Sequence, residues 1–279
     1  MTDATAMTEA DLALKTKHRK MWALGDYPTL ASELIPGLGR ALVQACGTKA
    51  GDRVLDIAAG TGNAAIPAAR TGADVVACDL TPELLDAGRR RAREQGIELE
   101  WREADAEALP FDDGEFDTVM SCVGVMFAPH HGAAADELVR VCRPGGTIGL
   151  LSWTPEGFIG QMFAAVRPYS PAPPPGAQPP PLWGNEEHVR TLLGDRVTDL
   201  QARRATVTVD RFGTPEAFRD YFKTVYGPAI AVYNNIGDSS ERVAELDSTL
   251  VELARQHGCG TGDSTMEWEY LLVTGRRSG

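Results

Sequence analysis

Cysteine is scarce in this chain, and what there is of it forms no pattern. Five cysteines in 279 residues, Cys46, Cys78, Cys122, Cys142 and Cys259, are an odd number at wide spacing. That excludes a disulfide framework and a clustered zinc site, so no metal is expected. Three of them lie in or beside apolar runs, where a thiol behaves as a small buried hydrophobe. Positive charge is also short: 27 Lys and Arg against 39 Asp and Glu give a formal net charge of -12. An average surface of that sign repels a polyphosphate backbone, and nucleic acid is not expected as a partner. The densest basic cluster, Arg89, Arg90, Arg91 and Arg93, reads as the solvated end of a helix. No apolar run approaches the ~20 residues that span a bilayer. Met1 to Ala10 carries acids where a signal peptide has a basic and then an apolar region. The expectation is a cytoplasmic protein without a membrane partner, with association into a homo-oligomer left open.

What is present is an ordinary globular balance, 43% hydrophobic and 24% charged. The length suffices for one α/β core with roughly 100 residues to spare. Residues 11–24 and 30–46 read as helices, the second with an uncertain start at Pro36-Gly37. From Arg53 strands and helices alternate. Strands are predicted at 53–57, 75–79, 97–101, 116–121 and 147–153, with helices between them, one opening at Thr81-Pro82-Glu83 with proline in its first turn. Nearly continuous apolar strands separated by helices predict a largely parallel, doubly wound sheet with helices on both faces. Residues 154–184 break the pattern: this proline-dense stretch favours extended structure, a loop that either covers a site or crosses the surface. A short helix at 185–193, a strand at 200–209, two or three helices over 215–256 and an alternating strand at 265–274 complete the reading. The domain organisation that follows is 1–153 for N-terminal helices and core, 154–264 for a proline-rich and helical substrate-covering insertion containing strand six, and 265–279 for the last core strand.

Three features carry chemistry. The first is Asp56-Ile57-Ala58-Ala59-Gly60-Thr61-Gly62, where an apolar strand ends and a helix starts. Small residues there let a ligand approach the backbone, and free amides at a helix start favour electron-rich groups. A dinucleotide fingerprint needs a third glycine that Ala58 and Asn63 do not supply, and no Gly-Lys-Ser/Thr phosphate loop exists. The second is Asp79, 23 residues on and again at a strand end. Its carboxylate can accept both hydroxyls of a ribose, or else cap the helix that follows. The third is Asp105-Ala106, an acceptor for an exocyclic amine beside a residue small enough to leave room for a purine. Each alone has a purely structural alternative. Together they recur at successive strand ends along the edge where open α/β sheets bind ligands.

On these residues the chain resembles the class I S-adenosylmethionine-dependent methyltransferases, in the branch of the ubiquinone and menaquinone biosynthesis enzymes, best over roughly residues 18–153. The resemblance implies S-adenosyl-L-methionine as cofactor and a seven-stranded, mostly parallel sheet whose last strand is antiparallel. Val54 to Asn63 is similar to the family's first motif, around the methionine part of the cofactor, with Ala58 standing where the family has its first glycine. Asp79, with Leu80 beside it, matches the ribose-binding acid, and Asp105 and Ala106 match the pair beside adenine. Phe116 to Phe127, including Ser121, resembles the fourth motif, and Arg143 to Gly146 the turn before strand five. An aromatic stretch before the core closes over the cofactor in family members, which implicates Trp22, Gly25 and Tyr27. The cofactor-binding set is therefore Trp22, Tyr27, Asp56, Ala58, Gly60, Gly62, Asn63, Asp79, Leu80, Asp105, Ala106 and Ser121.

Such a reaction is in-line displacement at an already activated sulfonium methyl, needing neither metal nor covalent nucleophile. Placement alone is worth ~7–11 kcal/mol of barrier. Because the sulfonium loses its charge in the transfer, Asp56 is expected to orient backbone or the cofactor's amino group and not to act as a base. A small-molecule acceptor, methylated on oxygen or carbon, is expected over the ends of strands four and five. Met126 and Phe127 form its apolar wall; His130, nearer the strand, is the candidate general base, and His131 beside it belongs to the candidate substrate surface. The structural alternative is that both histidines are solvated or simply start a helix. Arg167, Tyr169, Tyr221 and Tyr226 from the insertion complete the candidate substrate surface, with Arg167 suited to a substrate carboxylate. A non-catalytic cofactor-binding protein and a nicotinamide-dependent reductase are the rival readings. The second is weakened by the incomplete glycine pattern and the lack of a Tyr-x-x-x-Lys pair.

Overall fold

The computed structural model describes residues 9–173 and 175–279. The acidic stretch weighed against a signal peptide lies mostly outside the described residues, as does the middle of the proline triplet at 173–175.

Five parallel strands build the core: β1 (Arg53–Ile57), β2 (Asp74–Asp79), β3 (Glu100–Glu103), β4 (Phe116–Cys122) and β5 (Cys142–Trp153). β6 (Val197–Val209) and β7 (Met266–Arg277) complete a seven-stranded sheet of order β3-β2-β1-β4-β5-β7-β6. β7 runs antiparallel to both β5 and β6. The strand order reverses between β1 and β4, and it is outside the carboxyl ends of strands at such a switch point that open α/β sheets form a crevice.

The central strands are covered on both faces, so alternation is replaced by continuous burial: Val54 through Ile57 on β1 and Val75 through Asp79 on β2 are all buried. The edges differ. β3 has only Trp101 half-buried, and its start, expected at Ile97, falls three residues on at Glu100, because Ile97 and Leu99 belong to the approach and not to the paired strand. β6, at the other edge, alternates between exposed and half-covered positions. β5 starts earlier than expected, at Cys142. Cys142 pairs with Phe116, and regular register resumes only at Thr118 and Thr147, so Arg143 to Gly146 bulges out of the ladder.

The helices before the core are α1 (Glu9–Trp22), α2 (Tyr27–Glu33) and α3 (Leu38–Cys46). The single helix expected over 30–46 is thus two, divided at Pro36-Gly37. α4 (Ala65–Ala69), α5 (Pro82–Glu94) and α6 (His131–Val141) connect the parallel strands. α5 carries Pro82 and Glu83 in its first turn and Arg91 and Arg93 in its last, each on the favourable end of the helix dipole. After β5 come α7 (Phe158–Val166), α8 (Glu186–Leu193), α9 (Pro215–Val225), α10 (Gly227–Ile236) and α11 (Ser240–Gln256). The last three fold over the carboxyl ends of the strands together with α7 and α1, where Phe158, Phe212, Phe218, Phe222 and Trp268 pack ring against ring. All five cysteines are free, and four are buried. No described helix is long and apolar enough to cross a membrane.

Candidate active site

The first tight turn after β1 is shaped by left-handed backbone: Ala58 has φ +52°, Gly60 φ +54° and Gly62 φ +79°. An alanine in that region costs roughly 1–2 kcal/mol, which is why a glycine is the easier residue at its position. Gly60 faces open space, with nothing within 4 Å of where a Cβ would stand, and it borders the cavity. Its amide is held by Asp79, whose Oδ2 accepts from Gly60 N at 2.8 Å while Oδ1 accepts from Thr81 N at 2.8 Å. Asp79 therefore joins the turn after β1 to the start of α5, so the capping alternative and the ligand-facing one coexist in a single carboxylate. Asp79 also lines the cavity, and a carboxylate oxygen has more than one acceptor position. Burial pushes its acid above the ordinary range, opposed by the amides of Thr81 and Gly60.

Asp56 lies one layer deeper. It is 1% exposed, and neither carboxylate oxygen has a hydrogen-bond partner in the protein. Burial pushes its acid up to about 8, with the helix-start amide of Ala65 as the opposing influence. Ser121, also buried, donates to Ile57 O at 2.6 Å and accepts from Val125 N at 2.8 Å, clamping the ends of β1 and β4 together. Asp56, Gly62 and Ser121 thus support the cavity from behind, whereas Ala58, Gly60, Asn63, Asp79, Leu80, Asp105 and Ala106 line it.

At the β3 end Asp105 Oδ1 accepts from Lys15 Nζ at 2.9 Å and from Glu107 N at 3.0 Å, leaving Oδ2 available. Lys15, on α1, also reaches Glu107 Oε2 at 2.6 Å. One helical turn further His18 lines the same cavity, and one more turn on so does Trp22. Arg19 adds an ion pair to Glu103. Of these, Trp22 belongs to the set expected from sequence, whereas Lys15, His18, Arg19 and Glu107 lie outside it; the available signal was that Lys15 and His18 share one helix face with Trp22.

The other half of the cavity is an aromatic enclosure. Trp22 packs edge-on to Phe127 at 4.6 Å between centroids and tilts against Tyr27 at 5.5 Å. Phe163 meets Phe127 at 5.9 Å and stacks on Tyr226 at 6.5 Å. Met162, Ile159, Trp153 and Trp268 close the remaining wall. The Tyr27 hydroxyl is buried without a hydrogen-bond partner, and burial raises its phenol well above the ordinary value.

Several expected substrate residues stand elsewhere. His130 is the cap residue of α6, outside the cavity, with Nδ1 on Glu107 Oε2 at 3.1 Å and its amide on Glu107 Oε1. His131 is fully buried, its Nδ1 2.9 Å from His188 Nε2 and its ring against Trp183; burial and the neighbouring His188 push it down to about 4. The alternative that these two histidines start a helix is the arrangement found. Met126 is 0% exposed in the core, behind Phe127. Tyr221 donates to Glu33 and carries Arg211 on its ring, away from the cavity. Tyr169 packs under Arg242 beside α11, and Arg167, in the same short turn, does not reach the cavity either. Of the insertion residues expected, only Tyr226 lines it.

Residues 54–146 match the family described as a methyltransferase domain. An uncharacterised protein of Mycobacterium tuberculosis is 56% identical over 262 residues, covering 94% of each chain. The demethylmenaquinone methyltransferase of Thermus thermophilus is 41% identical over 119 residues, 41% of this chain and 54% of that protein. The fold is shared with the YcgJ protein of Bacillus subtilis, at TM-score 0.58 and 18% identity, covering 86% of this chain and 98% of that one. The chain belongs to the class I S-adenosylmethionine-dependent methyltransferases. This methyltransferase has the family's seven-stranded sheet with an antiparallel β7, and S-adenosylmethionine is its cofactor. The residues present fit that cofactor: an open space over Gly60, two cavity-lining carboxylates at successive strand ends, and an unpartnered acid beneath.

Proposed function

We propose that this methyltransferase acts on a small, flat, largely apolar molecule, methylating it on oxygen or carbon. The carrying observation is the aromatic half of the cavity. Trp22, Tyr27, Phe127, Phe163 and Tyr226 wall this half with rings, and the cavity's Lys15 stands at its other end, held by Asp105 and Glu107. The Thermus relative, named for demethylmenaquinone, supports an aromatic acceptor of this kind.

In this reading Asp79 accepts the two ribose hydroxyls and Asp105 Oδ2 the adenine amine. Asp56 faces the amino-acid end from below the Gly60 turn. Bound there, S-adenosylmethionine supplies an electrophilic sulfonium methyl. The chain's own work is placement and dryness. The Ala58–Asn63 turn fixes one reactant, and the rings of Trp22, Phe127 and Phe163 hold the other and exclude water from between them. The net charge of -12 argues against nucleic acid as acceptor.

The test is transfer from methyl-labelled S-adenosylmethionine into a bacterial cell extract containing small molecules, protein and nucleic acid. Label is expected in the fraction that extracts into organic solvent and is lost from it in a Phe163→Ala, Tyr226→Ala double variant. Label in protein or nucleic acid would overturn the assignment.

A further inference from the structure

α1 lays one face along the whole length of the cavity. Lys15 is anchored at the adenine-binding end by Asp105 and Glu107, and Trp22 stands seven residues on in the aromatic enclosure against Phe127. His18 lies between them, one turn from each, and its ring borders the cavity. Between adenine and acceptor, any bound S-adenosylmethionine carries its ribose and sulfonium. His18 is unlike the other histidines near the site: His130 is taken by Glu107 and His131 by His188, whereas the His18 ring makes no hydrogen bond among the described residues. An imidazole with no hydrogen bond among the described residues, bordering the path of a cation, has one consequential property, its charge.

We propose that His18 is the residue by which this methyltransferase reads the charge of its cofactor: neutral, it admits S-adenosylmethionine, and protonated, it favours the uncharged sulfur of S-adenosylhomocysteine. The inference rests on the cofactor orientation proposed above. The charged groups facing His18 are Lys15 on its own helix and Asp105 and Glu107 beyond the end of β3, with Asp79 at the end of β2 and the Tyr27 phenol of α2 on the same cavity. Burial is the largest influence on the ring and Lys15 adds to it. Both hold it below its ordinary value against the pull of the two carboxylates, so the neutral form prevails at neutral pH. A sulfonium arriving nearby deepens that preference, and binding of the cation releases any proton the ring holds.

The two cofactor forms share adenosine and amino-acid parts, so the ratio of their dissociation constants cancels every residue that reads those parts. Calorimetry on the full chain with S-adenosylmethionine and S-adenosylhomocysteine, from pH 7.5 to 5, measures it. In the wild type the ratio is expected to rise about three- to tenfold toward pH 5. His18→Gln should hold the ratio flat at its high-pH value, and His18→Lys, a fixed cation, should hold it flat at a raised value. A Gln variant that keeps the wild-type slope would assign the effect to Asp56 or Asp79 and overturn the proposal, as would a flat wild type. Proton NMR gives a second readout that needs no folded variant beyond one to identify the signal. The His18 ring resonance should titrate at a lower pH with S-adenosylmethionine bound than with S-adenosylhomocysteine, and equal midpoints would refute the assignment. Failure of the orientation itself is separable: there, Asp79→Ala would leave binding of both probes unchanged.

Discussion

Asp56 is the most sharply testable group in the structure, because a buried acid with no partner makes stability depend on pH in an unusual direction. Its folded-state value is raised from 3.8 to about 8. A group raised on folding contributes stability that is complete below its unfolded value and is lost as pH climbs through the folded one. Each decade of proton affinity is about 1.4 kcal/mol, so the roughly four decades between 3.8 and 8 amount to on the order of 5 kcal/mol, spent between pH 4 and 8. Asp79, also raised, acts in the same direction. Below pH 6.5 the effect is masked. His131, lowered from 6.5 to about 4, contributes stability that is complete above 6.5 and is lost as pH falls toward 4. His18, His188 and His257, likewise lowered, oppose Asp56 in that same window. The clean interval is therefore pH 6.5 to 8, where about 2 kcal/mol of unfolding free energy should disappear from the cofactor-free protein. Urea denaturation followed by tryptophan fluorescence across that interval reads it directly. Asp56→Asn, which keeps shape and removes the titration, should flatten the curve by most of that amount and be the more stable protein at pH 8. Parallel curves for wild type and variant would refute the reasoning.

Other outcomes follow from the same geometry. Asp79→Ala removes the acceptor for Gly60 and, in the proposed cofactor orientation, for the ribose, and should weaken S-adenosylhomocysteine binding by about 2 kcal/mol or more, some thirtyfold, in calorimetry. Ala58→Gly relieves a φ of +52° but frees the unfolded chain, so a net gain below about 1 kcal/mol is expected in thermal unfolding; a loss larger than that would show the alanine methyl to be packed for a purpose. Lys15→Met leaves Asp105 and Glu107 without their cation in a largely buried setting, a loss of about 3–5 kcal/mol that should appear as accelerated amide exchange confined to α1. His130→Ala, altering a residue outside the cavity, should leave the S-adenosylmethionine dissociation constant within about twofold.

How far the sequence carried depends on what kind of contact each feature makes. The cofactor half is written locally. Asp56, Gly60, Asp79 and Asp105 each sit at a strand end within 50 residues of one another, and a parallel sheet with one repeating connection must bring successive strand ends to one edge. Such features survive translation from chain to space. The acceptor half is made by long-range packing, and residue type misleads there. His131 looks like a titrating group at a strand end, yet its ring is buried by His188, 57 residues away, on a helix whose docking no local pattern announces. Tyr221 and Tyr226 both belong to the aromatic run at the end of α9, five residues apart. On a 3.6-residue period that separation turns one toward the cavity and leaves the other on Glu33. The most instructive case is α1. Trp22 was expected there through the family resemblance, but Lys15 and His18 on the same face carried no expectation, because a charged stripe acquires meaning from what it covers. Once that stripe lies on the cavity, it supplies the Lys15 anchor on Asp105 and Glu107, the Trp22 wall against Phe127, and between them the His18 ring on which the proposed cofactor discrimination turns.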